Sequence, residues 1–107
     1  MIFVDDARRR MTHGPYAHFR WKHLKWSHLF AVPHNSEELY DFAREIGLKF
    51  KWVQNFGTNK EHYDVTETMR EKALENGATE VTAREAVKIM RTQRYVSLSP
   101  APQGAEE

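Results

Sequence analysis

Trp26-Ser27-His28-Leu29-Phe30-Ala31-Val32, stopped by Pro33 and followed by Asn35-Ser36-Glu37-Glu38-Leu39, joins a strand to a helix in one short run. Trp26, His28, Phe30 and Val32 alternate with Ser27, Leu29 and Ala31, the period of two that a half-buried strand requires. Asn35 stands three residues ahead of Glu38 in capping-box position, which starts a helix there. Leu39, Phe42, Ala43 and Ile46 then fall at i, i+3, i+4 and i+7 and make one apolar stripe. Gly47 supplies the left-handed stop.

Toward the C-terminus, Leu48, Phe50 and Trp52 alternate with Lys49 and Lys51, which predicts a third strand. Asn55 to Lys60 reads as loop and leads into Glu61-His62-Tyr63-Asp64-Val65. Thr66 caps a second helix, with Met69 and Ala73 inward and Gly77 as its stop. Ala78 to Val81 is a short strand, and Thr82-Ala83-Arg84-Glu85 is a capping box for a third helix with the stripe Ala83, Ala86, Val87 and Met90. Toward the N-terminus, Ile2-Phe3-Val4 reads as a strand buried on both faces that ends on Asp5 and Asp6. The alternation predicts a small α/β fold: a largely parallel sheet of about four short strands, about three helices and right-handed crossovers, in one domain over residues 1–95. Residues 7–24 have no clean period and read as a basic, aromatic flap. Residues 96–107 read as a disordered tail by composition.

The 107 residues suffice for one modest core. Hydrophobic residues at 40% and charged residues at 29% are an ordinary globular mixture. No apolar run approaches the ~20 residues of a membrane span, and the acids at positions 5 and 6 do not suit a signal peptide. The chain has no cysteine, so disulfides and thiolate metal sites are excluded and a cytoplasmic location is the expectation. Residues 1–35 carry a net charge of +4 and the remainder −3, an asymmetry that points to a local anionic partner.

Four places have the residue types for chemistry. Asp5 and Asp6 sit at the carboxyl end of a strand, where open α/β sheets place ligands and where carboxylates hold divalent cations. Successive strand residues point to opposite faces, so one of the two faces any site. His28 shares a strand face with Trp26 and Phe30, the setting of a core histidine more often than of a ligand. His62 and Asp64, two apart in extended chain, point the same way and suit a shared metal or a histidine base with its carboxylate, although Asp64 also stands where it caps the second helix. Arg8, Arg9, Arg10, Arg20 and Lys22, interleaved with Tyr16, Phe19 and Trp21, have the composition of a groove for single-stranded nucleic acid, although bases in a loop are more often a solvated, loosely ion-paired face. No glycine-rich phosphate loop, nucleophile elbow or zinc-helix motif is present.

Val4-Asp5-Asp6, Trp26-x-His28-Leu29, Phe42-Ala43 with Ile46-Gly47-Leu48, Trp52-x-Gln54, His62-Tyr63-Asp64 and Gly77-Ala78 with Glu80-Val81 occur in that order. Over about residues 2 to 88 this pattern resembles the bacterial and phage family catalogued as domain of unknown function 4031. The resemblance implies a small α/β protein and carries no established activity. The link from the aspartates to Trp26 is longer and more basic than the family suggests, and Lys60-Glu61 precede His62 where a proline or aromatic is more usual.

The residues point first to a metal-assisted phosphoester hydrolase acting on a nucleotide or nucleic acid. In that reading Asp5, Asp6, His62 and Asp64 hold a divalent metal, His28 and His62 serve catalysis, and Arg8, Arg9, Arg10, Arg20 and Lys22 attract the anion. The alternative is a non-catalytic module that binds a nucleotide, a nucleic acid or a host protein through the flap. A convergence of the polar groups on one point separates the two.

Overall fold

The structure is a computed structural model and describes residues 1–10 and 24–98. Strand β1 (Ile2–Val4) is followed by β2 (Arg9–Arg10) and by β3 (Lys25–Ala31), which runs into helix α1 (Ser36–Glu45). Then come β4 (Tyr63–Thr66), α2 (Glu67–Glu75), β5 (Thr79–Glu80) and α3 (Ala83–Leu98). The caps form where the sequence places them. Asn35 accepts from the Glu38 N–H at 2.9 Å, and Thr66 accepts from the Met69 N–H at 3.4 Å. The Thr82/Glu85 box is reciprocal: the Glu85 N–H donates to Thr82 Oγ1 at 3.0 Å and the Thr82 N–H to Glu85 Oε1 at 2.8 Å.

The sheet is mixed and mostly antiparallel, not largely parallel. β3 pairs antiparallel with β1, β2 and β4, and only β1 and β5 run parallel. For β4 the difference traces to the segment after α1. The Leu48–Trp52 alternation is not a strand: Phe50–Trp52 forms a 3₁₀ turn, with the Trp52 and Val53 N–H groups donating to Lys49 and Phe50 carbonyls at 2.9 Å. The chain then reverses in a hairpin, where Gln54 pairs antiparallel with His62. One helix between two strands yields a parallel pair. A helix plus a hairpin adds a reversal, so β4 returns antiparallel to β3.

Leu29 pairs with both Val4 and Tyr63, so β1 and β4 flank β3 on opposite edges. Trp26 pairs with both Arg9 and Thr66, so β2 prolongs the β1 edge. The sheet is therefore four strands wide, in the order β4-β3-β1-β5. One face packs Val4, Leu29, Ala31, Tyr63 and Val65 against Leu39, Ala43 and Ile46 of α1 and Ala73 of α2. Each large aliphatic side chain buried there contributes about 1.5–3 kcal/mol. By strand alternation, Trp26, His28 and Phe30 look to the opposite face, where the Phe3 and Phe30 rings meet at 5.8 Å. α3 extends to Leu98, beyond the expected domain end at residue 95. The tail from residue 99 on lies outside the described residues.

Tyr63 is 1% exposed and its hydroxyl meets no hydrogen-bond partner among the described residues. Burial, with the nearby Glu61 charge and Tyr40, pushes the phenol up to about 12. An unpartnered buried hydroxyl gives the fold nothing in return for its lost hydration. Tyr63→Phe is therefore expected to leave urea stability unchanged or to raise it by up to about 1 kcal/mol. A loss of more than that would reveal a bond to the hydroxyl.

Candidate metal centre

The register places a bulge beside His28. Val4 pairs with Leu29 and Arg9 with Trp26, so residues 5 to 8 stand opposite only Ser27 and His28. Bulges re-aim side chains at sheet edges, and this one turns Asp5 inward. The Arg8 backbone takes φ +48°, and its N–H donates to Ser27 Oγ at 3.2 Å. Asp5, its side chain 3% exposed, accepts on Oδ1 from the His28 and Ala7 N–H groups at 2.9 and 3.1 Å. Its Oδ2 meets His28 Nδ1 at 2.7 Å. Burial alone would raise the Asp5 carboxyl, yet the His28 ring, the His28 and Ala7 N–H groups and the His28 charge hold it below its ordinary value.

The β3–β4 register then sets His28 directly opposite Asp64, and alternation brings His62 to the same face two residues earlier. His62 Nε2 lies 3.5 Å and His28 Nε2 3.9 Å from Asp64 Oδ1. Donor atoms of His28, His62 and Asp64 all fall within 4.8 Å of one another. Two ligands ~2.1 Å from one ion at a tetrahedral angle stand ~3.4 Å apart, so small side-chain shifts close the set.

The tautomers follow from the partners. His62 Nδ1 lies 2.8 Å from the Lys60 carbonyl, which can only accept, so Nδ1 carries the proton. An ionised Asp5 imposes the same tautomer on His28. Each imidazole, when neutral, thus has its Nε2 lone pair free to ligate, the acceptor-backed arrangement of metal-binding histidines. Burial disfavours the charged form of His62, but Asp64, the Lys60 carbonyl and Asp5 outweigh it and raise its pKa above the ordinary value. Gln54 Nε2 donates to the other oxygen of Asp64 and fixes its carboxylate plane.

Two buried charges hold this frame. Arg70, 4% exposed, donates from Nε to the Asp5 carbonyl at 2.8 Å and pairs with Glu80. Glu61 accepts from the Gly57 N–H at 3.1 Å, from Ser36 Oγ and from His34 Nε2 at 2.8 Å, and so ties the 55–61 loop to the start of α1. A cleft of about 440 Å³ opens beside the cluster, lined by Asp5, His28 and His62, by Asn55 and Lys60 of the hairpin, and by Ala83, Ala86, Val87, Met90 and Arg91 of α3.

A family model described as protein of unknown function (DUF4031) matches residues 2–93. The chain belongs to that family. No curated protein and no solved structure matches it. In this DUF4031 member the polar set picked from the sequence divides by position. His28, His62 and Asp64 converge, Asp5 stands behind His28, and Asp6 turns away to accept from the Ala83 N–H at 2.8 Å as a cap of α3. Arg8 pairs with Glu67 at 2.9 Å. Arg9 and Arg10 form β2, while Arg20, Lys22 and residues 11–23 of the flap lie outside the described residues. Gln54, Lys60 and Arg70 were not among the site residues expected from the sequence. Trp52-x-Gln54 marked the position of the first, whereas nothing in α2 distinguishes Arg70 from its charged neighbours.

Proposed function

We propose that this DUF4031 protein is a metal-dependent hydrolase of phosphate esters, with the ion held by His28, His62 and Asp64. What supports the reading is the convergence of two Nε2 atoms, each backed by an acceptor on its own Nδ1, with one oxygen of a buried carboxylate. Two imidazoles and a carboxylate suit zinc, manganese or iron better than magnesium or calcium, which prefer oxygen alone. A divalent ion here supplies Lewis acidity and an activated water. Asp5 and the Lys60 carbonyl orient the two rings, and the Lys60 ammonium meets the charge of the phosphoryl group. Water's oxygen forms a new bond to phosphorus, the ester P–O bond breaks, and the alcohol departs with one of the water's protons.

Calorimetry with Zn²⁺ or Mn²⁺ is expected to saturate at one ion per chain, and the loaded protein to hydrolyse p-nitrophenyl phosphate above the rate of the free ion. A flat titration would end the metal centre. Stoichiometric binding with no hydrolysis of any phosphate ester would keep the centre and remove the hydrolase.

A further inference from the structure

Resting on the hydrolase reading of the same cleft, we propose that its substrate is a small phosphate monoester whose alcohol portion carries a flat apolar ring, and not a nucleic-acid strand. The α3 wall carries the argument. Ala83, Ala86, Val87 and Met90 follow at i, i+3, i+4 and i+7, one stripe turned to the cleft. Ala86 is buried, but Val87 is 54% exposed and Met90 half-buried, so the outer part of this stripe is not spent on the core. Val87 and Met90 give the cleft an apolar wall against which the face of a ring packs. The metal end lies at the start of α3, where Asp6 caps the helix beside Asp5. Arg91 lines the same cleft eight residues past Ala83, about 12 Å along the axis, and its guanidinium plane suits the face or polar edge of a ring.

Size and charge agree. A volume near 440 Å³ falls within the ~300–1,000 Å³ of small-molecule sites. A strand-binding groove needs a succession of cations along the backbone. Among the described residues this cleft offers Lys60 and Arg91, enough for one phosphoryl group and one further contact.

The test compares phenyl phosphate, methyl phosphate and a single-stranded decanucleotide on the Zn²⁺-loaded chain by calorimetry. Phenyl phosphate is expected to bind at least about tenfold more tightly than methyl phosphate, the difference that burying one ring produces. Val87→Ser with Met90→Ser should erase that ratio and leave Zn²⁺ affinity unchanged. Equal affinities for the two esters, with both bound, would overturn the ring pocket alone. Tighter binding of the decanucleotide than of phenyl phosphate would overturn it in favour of a strand groove. Failure of Zn²⁺ to bind at all would overturn the hydrolase reading and this inference with it.

Discussion

His62→Ala is expected to lower Zn²⁺ affinity by more than about a hundredfold while the chain stays folded. Changes to groups that merely orient a ligand cost about 10–100-fold, and loss of one ligand of three removes more. The fold tolerates the change because the ring sits at the cleft, where it bonds the Lys60 carbonyl at 2.8 Å and otherwise meets only Asp64 at 3.5 Å and the edge of the His28 ring among the described residues. Losing that bond costs about 1 kcal/mol. Asp64→Ala should lose the metal equally but destabilise further, because it strands the Gln54 amide that its other oxygen accepts. His34→Ala is the matched control. His34 bonds Glu61 and lies outside the cluster, so its loss should leave one ion per chain. Calorimetry gives affinity and stoichiometry, and thermal melting separates loss of a ligand from loss of the fold. An unchanged affinity in His62→Ala would sink the centre.

The strand-helix unit from Trp26 to Gly47 was legible because its signals are local: alternation, one capping asparagine and one glycine stop. The direction of the sheet was not. Leu48, Phe50 and Trp52 alternate as a strand would, yet Phe50 stays exposed and packs edge-on against Tyr40 and Phe56. A 3₁₀ turn presents residues three apart together, and the sequence alone does not tell that period from two over five residues. The polar set was legible as residue types and only partly as roles. Adjacency of Asp5 and Asp6 implied opposite faces, and they do diverge, one to His28 and one to α3. That Asp5 backs a histidine depends on the bulge opposite His28, which requires the register. Arg70 is invisible to periodicity because its contacts, the Asp5 carbonyl and Glu80, are tertiary.

Asp5→Asn tests whether the bulge exists to set a tautomer. The substitution keeps size and shape, and the new side-chain oxygen still accepts from the His28 and Ala7 N–H groups that Oδ1 now serves. The amide nitrogen is then left facing His28 Nδ1, donor against donor, unless the imidazole moves its proton to Nε2. The favourable outcome for the fold is that shifted tautomer, and it blocks the ligating lone pair. Stability should fall by no more than about 1–2 kcal/mol, since one charge-assisted hydrogen bond becomes a neutral one. Metal affinity should fall about 10–100-fold. Nitrogen-15 shifts of the His28 ring report the tautomer directly, with the protonated nitrogen expected to change from Nδ1 to Nε2. Asp5→Ala sharpens the contrast: it leaves the His28 and Ala7 N–H groups without their acceptor and should cost about 2–4 kcal/mol at this buried position. If Asp5→Asn binds Zn²⁺ like wild type with Nδ1 still protonated, Asp5 is a strut of the bulge and His28 takes its orientation from elsewhere.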